Sequence, residues 1–266
     1  MSITRFFVGS SLALIFVVAI NALRAVEPNE LQGATHGYPG LYESNGKKLA
    51  NGEFRQWADN GRLHVIITYR FRDGKVWEEK SVFRQQPEIL QEKWSWRESK
   101  EGKTEREFAV DFVEGTATTH LNGEDSSAKI EIEPGHTFAG FGFTIALSNL
   151  HDRLLKGETI ELKGIGFTPK PRVVAVNVFH AGLDRIEMGG RVFRGNHFVI
   201  RPSLPFIAKL FIKVPDNHIW LTNPKPATFL RWEGPIAMPS DPIIRVDLIS
   251  DERSHPAEST KAADHE

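Results

Sequence analysis

The chain has 266 residues, 33 basic and 34 acidic side chains, no cysteine and a hydrophobic fraction of 40%. The near-neutral balance lacks the basic stripe of a nucleic-acid binder, and without cysteine no disulfide framework is possible. Stability must therefore come from a hydrophobic core.

The first 25 residues read as a secretory signal peptide. Arg5 gives a positive start, "FFVGSSLALIFVVAI" (6 to 20) is uncharged and apolar, and "NALRA" ends on a small residue, which predicts cleavage after Ala25. The apolar run is short against the roughly 20 residues of a membrane span. Without Arg5 and Arg24 the formal charge is −3, all of it carried by the tail 251–266, "DERSHPAESTKAADHE". That tail has no aromatic residue and reads as disordered, leaving one β-rich domain over 26–250.

Short alternating segments then dominate. Leu63, Val65, Ile67, Tyr69 and Phe71 fall on one face at period two, Asp73-Gly74 predicts a type I′ turn, and Val76 opens a return strand. Asn60-Gly61, "KEGK" and Asn122-Gly123 mark further hairpins, with Trp94 and Trp96 sharing one strand face and Phe108, Val110 and Phe112 another. The rhythm changes at 142–156, where Phe143, Leu147, Leu150 and Leu154 are spaced for one amphipathic helix and Lys156-Gly157 stops it. Strands resume with "ETIELKGIGF", "RVVAVNVFHAG", "LDRIEM", "RVFRGNHFVIRP", "FIAKLFIKV", "HIWLT", "ATFLRWEG" and "PIIRVDLI". The "TNPKPA" between the "HIWLT" and "ATFLRWEG" strands must be a connection, because Pro224 and Pro226 cannot donate ladder bonds. The fold class expected is mainly β: a large curved antiparallel sheet, a half-open barrel, wrapped around one helix.

No metal or catalytic spacing stands out. His180 and His197 sit in strands close enough in sequence to meet across a hairpin, and Ser148 and His151 lie three apart on the helix, with Ser148 read as a surface serine. Glu78-Glu79 and Glu131/Glu133 read as solvated strand faces, and "GFGFT" (140 to 144) as a flexible lead into the helix rather than a phosphate loop. Neither a cofactor nor a metal ligand set is indicated. Arg231 and Glu233 share one face with Phe229, and Leu230 and Trp232 take the other.

"GYPGLYESNGKKLANGEFRQW" and "FLRWEGP", together with the export signal, resemble a group of uncharacterised periplasmic proteins of Gram-negative bacteria. Their half-open barrel is similar to that of the lipoprotein carriers LolA and LolB. The resemblance implies a concave apolar surface able to hold a lipid chain and carries no catalytic residues. The chain departs from LolB in lacking a lipidation cysteine.

The reading is an exported, soluble periplasmic binding protein holding a lipid-like ligand between sheet and helix, with no nucleic-acid partner. The expected lining is Trp94, Trp96, Phe143, Leu147, Leu150, Leu154, Trp220 and Trp232. Two other readings stay open: an envelope interaction protein with a packed core and a protein partner, and a hydrolase without a visible site.

Overall fold

The computed structural model describes residues 25–29, 31–168, 170–203, 214–223 and 225–250. The expected signal peptide (all but Ala25), the tail 251–266 and most of the strand expected at "FIAKLFIKV" lie outside the described residues.

The chain opens with β1 (Thr35–Gly37), β2 (Gly40–Glu43), β3 (Lys48–Asp59), β4 (Arg62–Phe71), β5 (Lys75–Arg84) and β6 (Leu90–Lys100). There follow β7 (Lys103–Asp111), β8 (Thr116–Leu121), β9 (Glu124–Lys129), β10 (Thr137–Phe138) and the single helix α1 (Gly142–Leu155). After the helix come β11 (Ile160–Phe167), β12 (Pro171–Met188), β13 (Arg191–Pro202), β14 (Asn217–Thr222), β15 (Phe229–Pro235) and β16 (Ile243–Asp247). All sixteen strands join one sheet in the order β10-β11-β12-β13-β14-β15-β16-β2-β3-β4-β5-β6-β7-β8-β9, with β1 beside β3. Every pairing is antiparallel except β10 with β11. Among the described residues no ladder joins β9 to β10, so the sheet is curved but not closed.

The hairpins follow from their turn residues. Asn60-Gly61, Glu101-Gly102, Asn122-Gly123 and Gly189-Gly190 each have two consecutive positive φ angles, the requirement of a two-residue type I′ turn. The expected type I′ turn at Asp73-Gly74 is corrected: only Gly74 is left-handed, φ +82°, and its N–H donates to the Phe71 carbonyl. β12 is continuous where two strands were expected, with a bulge between His180 and Gly182 that bends it.

Curvature brings distant strands into contact. Trp94 and Trp96 of β6 stack on Phe167 of β11 and Phe108 of β7, each at 5.9 Å, and Phe108 meets Phe167 at 4.8 Å. β11 is second from one end of the sheet order, and β6 and β7 lie near the other. These rings belong to the main core with Ile145, Ala146, Leu147, Leu150 and Leu154 of α1, which approaches β10 and β12. A second, smaller core of Ile186, Met188, Trp220 and Leu230 lies on the opposite face, since Trp220 and its neighbour Leu221 alternate across β14 and only Leu221 joins the main core.

One rim is tied by charge. Glu98 accepts from the Trp77 indole at 2.6 Å and from Arg106 at 3.2 Å, while Arg106 also reaches Asp241 at 3.1 Å. Asp241 in turn accepts the N–H groups of Ala237 and Met238, so the β15–β16 connection is moored to β7. Burial pushes the Glu98 carboxyl up, but Arg106 and Lys75 outweigh it and hold its pKa below the ordinary value. Among the described residues no helix is long and apolar enough to cross a membrane.

Phe108 is fully buried between Trp96 and Phe167. Phe108→Ala is expected to lower stability by about 3–5 kcal/mol, read as a lower denaturant midpoint. A loss below about 1 kcal/mol, in the range of a surface change, would show that this ring is not central to the core.

Candidate functional site

The site begins with the parity of β5. Trp77, Glu79, Ser81 and Phe83 lie opposite Tyr69, Ile67, Val65 and Leu63, the apolar face of β4. Glu79 therefore points into the concave side, whereas Glu78 faces out and pairs with Arg97 and Lys80. The expectation that both carboxylates are solvated is corrected for Glu79.

Glu79 Oε1 accepts two hydrogen bonds, from the Trp94 indole at 2.9 Å and from the Phe141 backbone N–H at 2.6 Å. Phe141 is the N-cap position of α1, which has no side-chain cap of its own. Glu79 takes that role from another strand, where the helix dipole favours a negative charge. One turn of chain earlier, Gln91 accepts the Ala139 N–H at 2.8 Å and donates to the Ala139 carbonyl at 3.1 Å. The "GFGFT" stretch is thus held on both sides. Its glycines are required by close approach: a Cβ on Gly140, φ +51°, would lie 2.1 Å from Glu79 Oε1 and 2.2 Å from Trp94 Nε1, and one on Gly142 2.4 Å from Gln91 Oε1. A carboxylate occupies the helix N-terminus, so a phosphate there would be repelled.

Enclosure by protein pushes the Glu79 pKa up, and its two hydrogen bonds offset only part of that effect. The residue nevertheless keeps some accessible surface and lies under Gly140, which is exposed. Among the described residues Oε2 has no hydrogen-bond partner. Phe141, whose N–H donates to Glu79 Oε1, is half-buried with its ring 5.3 Å from Phe54 and 6.4 Å from Phe229. Tyr69, on the same concave side, has its hydroxyl pKa raised by burial and further by the charges of Glu79 and Asp247.

The predicted lining divides. Trp94, Trp96, Phe143, Leu147, Leu150, Leu154 and Trp232 all belong to or pack against the main core. Trp94 and Trp96 are 7% and 6% exposed and Leu147 and Leu154 fully buried, so these side chains fill the space between sheet and helix with one another. Trp220 does not join them: it lies in the second core, its indole donating to Asp184 at 2.9 Å. An irregularity in the β14–β15 register between Trp220 and Leu221 also overturns the simple alternation of β15. Phe229 reaches Phe141 and Trp232 the main core, while Leu230 turns to the second.

The histidines separate as well. His180 lies opposite Phe198 and His197 opposite Gly182, so the two do not pair across the hairpin. Ser148 is buried rather than on the surface and donates to the Thr144 carbonyl at 2.9 Å, while His151 is buried against Asn196 at 3.0 Å. Among the described residues no three His, Asp or Glu side chains are arranged to hold a metal ion. Two open depressions of about 670 and 490 Å³ are lined by charged and hydroxyl side chains, including Arg62, Arg84 and Glu92 in one and Thr118, His120 and Ser127 in the other. Neither includes a residue of the predicted lining.

No family model matches the chain, and no curated protein matches it. Among solved structures, the crystal structure of a β-barrel-like protein of domain of unknown function DUF1849 from Brucella abortus is similar, with a TM-score of 0.46 and 7% identity. The match covers 82% of this chain and 98% of that one.

Two predictions follow from the Glu79 contacts. Gly140→Ala should displace either the carboxylate or the indole, changing Trp94 fluorescence and lowering stability by about 1–3 kcal/mol through strain and a lost cap; an unchanged emission spectrum would contradict the packing described. Glu79→Gln keeps an acceptor for both bonds without the charge. Because the folded-state pKa of Glu79 is raised, its charge opposes folding: the stability present below the unfolded value near 4.5 is lost as pH rises through the folded value. The variant should therefore match the wild type below about pH 4.5 and become relatively more stable above it, by at most about 1.4 kcal/mol per pH unit. A gap that runs the other way with pH would show that the niche stabilises the anion.

Proposed function

We propose that the chain is a binding protein that receives an apolar, lipid-like ligand on the concave side of its sheet, with the sheet curved round α1 and the ligand head beside Glu79. The observation that carries this reading is a half-buried carboxylate with one oxygen committed to Trp94 and Phe141 and the other without a hydrogen-bond partner among the described residues. Buried charge is costly, and a perturbed carboxyl among apolar side chains is a candidate binding group. Oε2 suits a ligand that donates a hydrogen bond, such as a hydroxyl or a protonated amine on a hydrocarbon body. A fatty-acid carboxylate would meet like charge there.

The site lies at the N-terminal end of α1 rather than along its Leu147–Leu154 face, where side chains already fill the space. The resemblance to LolA and LolB expected from the sequence belongs to the same proposal, with an open curved sheet and a helix on its concave side. Export to the periplasm of a Gram-negative bacterium belongs to the same proposal and rests on residues 1–25.

The competing reading, an envelope interaction protein with a filled core, draws on the burial of Trp94, Trp96 and Leu147. Native mass spectrometry of protein purified without detergent separates the two. A reproducible added mass, lost on organic extraction and reduced in Glu79→Gln, is expected for the binding protein. A bare mass, with tryptophan emission unmoved by long-chain alcohols or amines, would leave the filled core as the better account.

A further inference from the structure

On the outer face, three strands contribute one chain of titratable groups. Asp184 Oδ2 of β12 lies 3.2 Å from His197 Nδ1 of β13, and His197 Nε2 lies 2.9 Å from His218 Nδ1 of β14. The Trp220 indole donates to the same Asp184 oxygen and stacks on the His197 ring at 4.4 Å and 13°. His197 is only 18% exposed, Asp184 48%. The other charges facing the chain are His180 from β12 and, from β15, Glu233 opposite His218 and Arg231 opposite Trp220. The Arg231 guanidinium is taken by Asp247 and the Glu187 carbonyl.

The chain dictates its own tautomers. The Asp184 oxygen 3.2 Å away would repel an Nδ1 lone pair, so His197 carries its proton on Nδ1 and accepts at Nε2. His218 must then donate from Nδ1, which leaves its Nε2 as the one nitrogen without a role in the chain. A proton added to His218 Nε2 leaves every bond intact. One further proton is shared within the pair, but with both rings protonated His197 Nε2–H faces His218 Nδ1–H and the bond between the rings breaks.

The place of the chain gives that break a consequence. Just beyond Asp184, the outer halves of β12 and β13 (residues 183 to 195) carry Ile186, Met188 and Phe193 onto Trp220 and Leu230. We propose that Asp184, His197 and His218 are an acid-sensitive latch that holds this β12–β13 arm on β14 and β15 and loosens it when both imidazoles are protonated. Burial, only partly offset by Asp184, lowers the His197 pKa from its ordinary value. A lowered histidine pKa means that the latch is fully set above about pH 6.5 and is lost as pH falls through the depressed value.

The test uses the purified natural protein and a His218→Gln variant. A glutamine amide can donate to neutral His197 and, turned over, accept from its protonated form, so the variant chain survives either state. Amide hydrogen exchange over residues 183–195, corrected for intrinsic rates, should be at least about fivefold faster near pH 5 than near pH 7.5 in the natural protein and little changed in the variant. Equal exchange at both pH values, or the same acceleration in His218→Gln, would overturn the latch. Long-range ¹⁵N–¹H correlations of the natural protein give an independent reading. His197 protonated at Nδ1 near neutral pH is required, and a proton on Nε2 there would overturn the proposal even if the variant failed to fold.

Discussion

The interior depends on how one helix with no cap of its own is seated on a sheet. Glu79 from β5 and Gln91 from β6 hold the turn before α1 from both sides. Gly140 and Gly142 let the backbone come close enough for them to do so. With that turn fixed, Leu147, Leu150 and Leu154 enter the core and Phe141 is placed between Phe54 and Phe229. The same contact gives a cap for the helix and a carboxylate in the niche, so the structural anchor and the proposed ligand group are one residue. Burial raises its pKa, and the bonds from Phe141 and Trp94 offset only part of that effect.

The sheet works on both faces because its strands bend. A bulge in β12 and a register irregularity between β14 and β15 redirect side chains that strict alternation would place elsewhere. One result is the second core, which covers Trp220 and Leu230 on the outer face. At its margin Asp184, His197 and His218 link three strands. At the far rim Arg106 joins Glu98 to Asp241 and holds the β15–β16 connection across the sheet.

Much of the fold was legible in local chemistry. Glycine following Asn or Glu marked hairpins because two consecutive positive φ angles suit few residues, and the spacing of Phe143, Leu147, Leu150 and Leu154 placed α1 within a residue of its observed end. Glu79 was legible too: it shares the face of Trp77 and Phe83 at period two. Next to Glu78 it resembled an ordinary solvated doublet, which hid its position. The fates of Trp220, Phe229 and Trp232 were not legible, because they depend on an irregular register between β14 and β15 and on a second core. The buried polar groups of α1, Thr144, Ser148, Asn149 and His151, were equally hidden, since bonds to backbone and to Asn196 satisfy several of them inside. The meeting of His197 with His218 required the β13–β14 pairing, which no spacing in the chain announces.

The most direct test of the central claim is the ionisation of Glu79 itself, followed by the ¹³C shift of its carboxyl group across pH, with Glu79→Gln assigning the resonance. A midpoint above the ordinary value of 4.5 that shifts when a long-chain alcohol is added is the result this account predicts. A midpoint at or below 4.5 that no apolar ligand shifts would mean that the carboxylate is solvated or fully paired, and that the niche is only the cap of a helix.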